Sequence, residues 1–174
     1  MGDPRVAKLA HVLINYSLEV KPGQVVQINA DAVTAPLVRE LVRETLQAGA
    51  RPLLRLTLTG LDEILYKYSS DEQLSTILDL DRQEIETISG FIYVLGSENT
   101  KSLSRADARK VALRAQTNRS LNARFFERVD QGQLNWVITQ FPTASAARIR
   151  HRRTTATTSK TNDAAAVHFE HVAK

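Results

Sequence analysis

The sequence predicts an α/β domain with a mainly parallel sheet of about four strands and helices on both faces, followed by a poorly ordered basic tail. Short apolar runs at 24–29, 52–58, 91–95 and 134–139 have the length of buried strands. Segments with apolar residues at helical spacing separate them. Continuously apolar strands that alternate with helices are typical of a parallel sheet covered on both sides.

The first helix is expected over about 4–18. Asp3 supplies an N-cap oxygen and Pro4 suits the first helical position. Lys21-Pro22-Gly23 then predicts a turn, and the run from Gln24 to Asn29 predicts the first strand because β-branched residues favour strands.

A second helix and a second strand are expected next. Thr34 is predicted to cap the helix with Pro36 in its first turn, and Gly49 to end it as the C′ glycine. The run from Pro52 to Leu58 predicts a strand, because proline is tolerated at a strand's first residue.

The region 60–89 is rich in charge and in helix-forming residues, so two or three short helices are expected there. Ser70 and Gln73 have the spacing of a capping box. The charges at Asp62-Glu63 and from Leu80 to Glu84 are interpreted as ordinary solvated helix exteriors.

The run from Phe91 to Leu95, closed by Gly96, is the clearest strand of the chain. Ser104 and Asp107 form another capping-box pattern, which predicts one long helix over about 105–128. The segment centred on Trp136 predicts the fourth strand.

A break after Ala147 divides the chain into an α/β domain, 1–147, and a low-complexity tail, 148–174. Of the chain's 23 Lys+Arg and 19 Asp+Glu, 6 basic and 2 acidic residues fall in the tail, so the net charge of +4 belongs to it. The tail lacks apolar periodicity and is expected to be disordered. The balanced domain gives no sign of a nucleic-acid surface.

Cysteine is absent, and the opening helix carries Lys8 and His11 where a signal peptide needs an unbroken apolar run. A cytoplasmic protein with no membrane segment is therefore expected. His11 is the only histidine of the domain and is interpreted as a partly exposed structural residue, because a hydrolytic metal site needs several converging ligands.

Ligands bind beyond the carboxyl ends of strands in parallel sheets, so Asn29-Ala30-Asp31 and Gly96-Ser97-Glu98-Asn99 are the loops that could form a site. Turn and cap preferences account for the same residues. No dinucleotide or P-loop glycine motif follows any strand. A stand-alone small-molecule or nucleotide-binding module using these loops is the alternative function.

Two motifs of the tail could bind a ligand. His168-Phe169-Glu170-His171 could grip a metal if it were helical, and the basic run Arg148–Arg153 could bind phosphates. The histidine motif is discounted because it lies near the end of a tail with no predicted core. The basic run is interpreted as a solvated tail, because no aromatic residue is interleaved in it for stacking on bases. A nucleic-acid-binding protein acting through this tail is the third alternative.

Three pieces in order resemble the N-terminal region of the thermophilic metallo-aminopeptidases of the aminopeptidase T and aminopeptidase S type. They are the stretch from Val20 to Asn29, then Ala48-Gly49-Ala50-Arg51-Pro52, then Trp136 followed by Pro142-Thr143 and an alanine-rich step. Together with the opening helix, these pieces are spaced over about 140 residues of the chain.

The resemblance implies the α/β N-terminal domain of a larger, cytoplasmic, homodimeric exopeptidase that removes N-terminal residues from peptides. It implies two divalent metal ions in the full-length family (zinc, cobalt, manganese or magnesium), held by Glu, His, Tyr and Asp side chains downstream of this chain. No catalytic, cofactor-binding or metal-binding residue is therefore assigned here. The isolated chain is expected to be inactive, and a shift of reading frame near Ala147 is the hypothesis for the tail.

Overall fold

Four parallel strands form the sheet in the computed structural model, which describes residues 3–96 and 106–141. They are β1 (Val25–Asp31), β2 (Arg51–Thr57), β3 (Gly90–Leu95) and β4 (Asn135–Gln140), in the spatial order β2-β1-β3-β4. The predicted parallel sheet is therefore confirmed. Ser97 to Asn99, Ser104 and the tail 148–174 lie outside the described residues.

The helices that connect the strands cover both sides of the sheet. They are α1 (Pro4–Val12), α2 (Ala35–Gln47), α3 (Leu61–Tyr68), α4 (Asp71–Ser75), α5 (Asp79–Thr87), α6 (Ala108–Thr117) and α7 (Arg119–Asp130). Within the two described ranges, none of them is long and apolar enough to cross a membrane.

Most helix-capping residues in the first half of the chain lie where the sequence predicts them. The Asp3 carboxylate accepts a hydrogen bond from Arg5 N at 2.9 Å and caps α1, which continues as a wider π-helical turn, Leu13–Ser17. Gly49 follows α2 with φ of 74°, a left-handed conformation that glycine adopts without strain. Thr34 occupies the N-cap position of α2 with Pro36 in the first turn, as expected, but its hydroxyl does not cap the helix and instead donates back to the Asp31 carbonyl at 2.7 Å.

The region before β3 holds three short helices, and the Ser70–Gln73 capping box is formed. The single long helix expected over 105–128 is wrong, because the chain breaks at Asn118 into α6 and α7. The Thr117 hydroxyl bonds back to the Leu113 carbonyl, and asparagine is a poor residue for a helix interior. Asp107 caps α6 by accepting from Arg109 N at 2.9 Å.

The sheet has two unlike faces. The closed face packs against α1 and α2, and its central strands contribute apolar side chains there: Val26, Ile28, Ala30, Ile92 and Val94. Because strand side chains alternate in direction, the opposite side of the same strands carries a different set. The open face lies beneath α5, α6 and α7 and presents Gln27, Asn29, Arg55, Phe91 and Trp136.

Candidate functional site

The carboxyl ends of β1 and β3 meet at the point where the strand order reverses. The chain leaves β1 toward β2 on one side and leaves β3 toward β4 on the other. Such a switch point is the usual ligand position in open α/β sheets. Asn29, Asp31 and Gly96 lie at this end of the sheet, but the loop expected at Asn29-Ala30-Asp31 is wrong, because these residues are the last of β1, whereas Gly96 does follow β3.

Tight packing accounts for the glycine at this point. A Cβ built on Gly96 would lie 2.0 Å from Thr34 Cγ2, closer than two carbon atoms can approach. Thr34 is itself fully buried and tied to the Asp31 carbonyl. Gly96 thus serves the contact between β3 and the turn after β1, which supports a structural role for this glycine.

Two further polar features lie on this part of the sheet. Gln27 Nε2 donates to Asn29 Oδ1 at 2.8 Å along β1. Burial raises the pKa of the Tyr93 phenol above its ordinary value of 10.0, and the negative charges of Asp31 and Asp62 raise that pKa further. The phenol therefore stays protonated near neutral pH, so it is a hydrogen-bond donor there and not a base.

No metal centre can be built from residues 3–96 and 106–141. Within these ranges no three His, Asp or Glu side chains converge as a metal site requires. His11 is exposed, and its Nδ1 lies 2.9 Å from Glu44 Oε2, so it links α1 to α2. The metal ions implied for the family do not fit the described residues, and no catalytic step is assigned to them.

A groove of about 440 Å³ lies between the open face and helices α5, α6 and α7. This volume is within the range of pockets that bind small molecules. Gln27 and Asn29 of β1 form part of its floor, although a central strand of a parallel sheet is ordinarily apolar on both faces. Sequence reasoning missed the groove, and these two polar residues inside an apolar run were the available signal.

An ion pair crosses one side of the groove. The Arg55 guanidinium contacts both carboxylate oxygens of Glu84, and its Nε donates to Oε1 at 3.1 Å. These hydrogen bonds raise the pKa of Arg55 above its ordinary value. The interpretation of Glu84 as an ordinary helix exterior is wrong, because its side chain is only 12% exposed and joins α5 to β2.

The lining of the groove also contains a series of aromatic rings and a buried amide oxygen. Phe91, Phe125, Phe126 and Trp136 form a continuous edge-to-face series, with successive ring centroids 5.2, 5.4 and 6.2 Å apart. Asn118 Oδ1, at the break between α6 and α7, is buried and accepts no hydrogen bond from any part of the chain that the structure describes.

Fold and groove together define a doubly wound α/β domain with a ligand-sized groove and, over the described residues, no metal-binding cluster. The chain belongs to the thermophilic metalloprotease (M29) family, whose sequence profile matches residues 2–169. The resemblance found in the sequence is therefore confirmed. The matched range continues past Ala147 and includes most of the basic tail. No curated protein matches the sequence.

A solved structure supports the same fold. Wild-type AmpT from Thermus thermophilus is similar with a TM-score of 0.67 and 22% identity, over 83% of this chain and 38% of that chain. The chain thus spans well under half the length of this relative. The CurK enoyl reductase matches with a TM-score of 0.31 and 14% identity, over 87% of this chain and 57% of that one, which is too low to compare folds.

Proposed function

We propose that this chain supplies the N-terminal α/β domain of a metallo-aminopeptidase and does not itself carry the catalytic centre. The family match over residues 2–169 supports the aminopeptidase assignment. The lack of any three converging metal-ligating side chains in residues 3–96 and 106–141 is the observation that carries the second part. The chain matches only 38% of AmpT, which leaves most of that relative without a counterpart here.

The full-length protein of this proposal is a cytoplasmic homodimer that removes N-terminal amino acids from peptides. Two divalent ions, zinc, cobalt, manganese or magnesium, would activate a water and polarise the scissile carbonyl in its catalytic region. The domain described here would shape access to that region and contribute to dimer contacts.

The basic segment 148–174 is proposed as a separate tail that arises from a shifted reading frame near Ala147. Its support is the change in charge after Ala147, close to the last of the three sequence pieces, although the family profile itself extends to residue 169. Translating the gene downstream of the Ala147 codon in the other two frames tests this. A frame that encodes a Glu-, His- and Tyr-bearing region supports the shift, and two frames without one reject it.

Activity of the purified chain tests the main proposal. Aminoacyl p-nitroanilides are offered with each of the four metals, and a full-length M29 enzyme is assayed in parallel as the positive control. The chain should give no turnover above the metal-only blank. Metal-dependent turnover that copurifies with the chain through two different columns would overturn the proposal.

A further inference from the structure

We propose that the groove on the open face binds a short, uncharged, apolar peptide segment through its backbone amides and one large apolar side chain. The choice of a peptide over other amide-bearing molecules rests on the proposed aminopeptidase function. The groove is a binding site and not a catalytic one.

The amide groups of the groove have hydrogen-bonding capacity left over. Gln27 lines the groove, is only 7% exposed and donates Nε2 to Asn29, which leaves its own carbonyl oxygen available as an acceptor. Asn118 Oδ1 is buried without a donor among the described residues. Burying such an acceptor costs free energy unless a ligand or water donates to it. A peptide N–H is the matching donor.

The opposite wall fits an apolar side chain. Phe126 is 51% exposed and Ile138 is 42% exposed, although both line the groove. Exposed aromatic and aliphatic surface inside a concave site gains free energy when an apolar group covers it. The neighbouring Trp136 and Phe125 rings hold this wall in place through their edge-to-face contacts.

The charges of the groove favour an uncharged occupant. The charges of Arg55 and Glu84 neutralise each other, because the guanidinium contacts both carboxylate oxygens. The Arg114 guanidinium is engaged by the backbone carbonyls of Leu74 and Thr76, at 3.4 and 3.2 Å. The groove lining contains two arginine and two carboxylate side chains, so its formal charge is zero and gives no preference for a phosphate or a free carboxylate over a peptide amide.

Trp136 is the only tryptophan of the chain and lines the groove, so its fluorescence reports occupancy directly. The probe is N-acetyl-Ala-Leu-Ala-amide, which has no free amino terminus and cannot be an aminopeptidase substrate. The matched peptide has Ser in place of Leu. The Leu peptide should give a saturable change with a dissociation constant on the order of 1 mM, and the Ser peptide should bind at least about tenfold more weakly.

Asn118→Ala removes the unpartnered acceptor and should weaken the Leu peptide about five- to tenfold, as expected for one hydrogen bond. Gln116→Ala is the matched control, because Gln116 is an exposed amide of α6, two residues before Asn118 and outside the groove. It should leave binding unchanged. If Asn118→Ala alters the circular dichroism spectrum, peptide binding is measured instead with Asn122→Ala, at an exposed groove position on α7.

Equal binding of the Leu and Ser peptides, or equal effects of Asn118→Ala and Gln116→Ala, would overturn the proposal. Saturable quenching by adenosine without quenching by the Leu peptide would also overturn it, in favour of a site for a nucleoside. Because blocked peptides are not cleaved, none of these results depends on turnover, and a failure of the proposed aminopeptidase function would appear only in the p-nitroanilide assay.

Discussion

The two faces of the sheet use the same strands for different purposes. On the closed face, Val26, Ile28 and Ala30 of β1 are buried against α1 and α2. On the open face, the alternate residues Gln27 and Asn29 of that strand floor a groove. Burial of apolar area is the main favourable term in folding, so the closed face is where stability is concentrated. The open face buries less apolar area and so contributes less to stability, but it presents polar groups that can bind a ligand.

The largest expected effect comes from truncating isoleucine on each face. Ile28 is fully buried on the closed face, so Ile28→Ala should lower the free energy of unfolding by about 2–5 kcal/mol. Ile138 is 42% exposed on the open face, so Ile138→Ala should cost about 1 kcal/mol or less. Denaturant unfolding followed by circular dichroism measures both losses. Similar losses for the two variants would show that the open face is packed as firmly as the core.

A smaller effect is expected from the contact that holds α5 and α7 together above the open face. Arg128 is 7% exposed, and its guanidinium donates to the carbonyls of Ile85 and Ile88, the latter at 2.8 Å. Arg128→Met keeps much of the side-chain volume but leaves those carbonyls without their donor. The free energy of unfolding should fall by about 1–3 kcal/mol.

Arg119→Met is the control for this change, because Arg119 is an exposed arginine of the same helix. It should change stability by no more than about 0.5 kcal/mol. Hydrogen exchange adds a local test, since the amides of α5 should exchange faster in Arg128→Met while those of α2 keep their relative protection. Uniform acceleration in both helices would mean that Arg128 supports the whole domain and not the open face alone.

The sequence predicted the closed face far better than the open one. A run of consecutive apolar residues predicts a strand because the signal lies within the run itself. Helix caps such as Asp3 and the Ser70–Gln73 box likewise depend only on nearby residues. The Arg55–Glu84 pair joins residues 29 positions apart, and no local pattern connects them. Strand order also depends on which edge each connection packs against. The break at Asn118 was missed because helical periodicity continues across it and only one residue separates α6 from α7.

The smallest expected effect concerns an exposed ion pair between α5 and α7. Arg124 Nε and Nη2 donate to the two Glu86 oxygens at 2.6 and 2.8 Å, and these bonds hold the pKa of Glu86 below its ordinary value of 4.5. A depressed carboxylate pKa contributes stability that is present above 4.5 and is lost as the pH falls through the folded-state pKa. Because the pair is exposed, solvent and salt screen it, and its contribution should be slight.

Arg124→Gln should return the pKa of Glu86 toward its ordinary value, as measured by NMR titration of the side-chain carboxyl carbon. The variant should also lose less stability than the wild type between pH 6 and about pH 3, because it has less to lose on protonation. Arg119→Gln removes a positive charge from the same helix without touching Glu86 and should leave the titration unchanged. If both variants shift the Glu86 pKa equally, the general charge of α7 sets that pKa, and the pair does not fasten α5 over the groove.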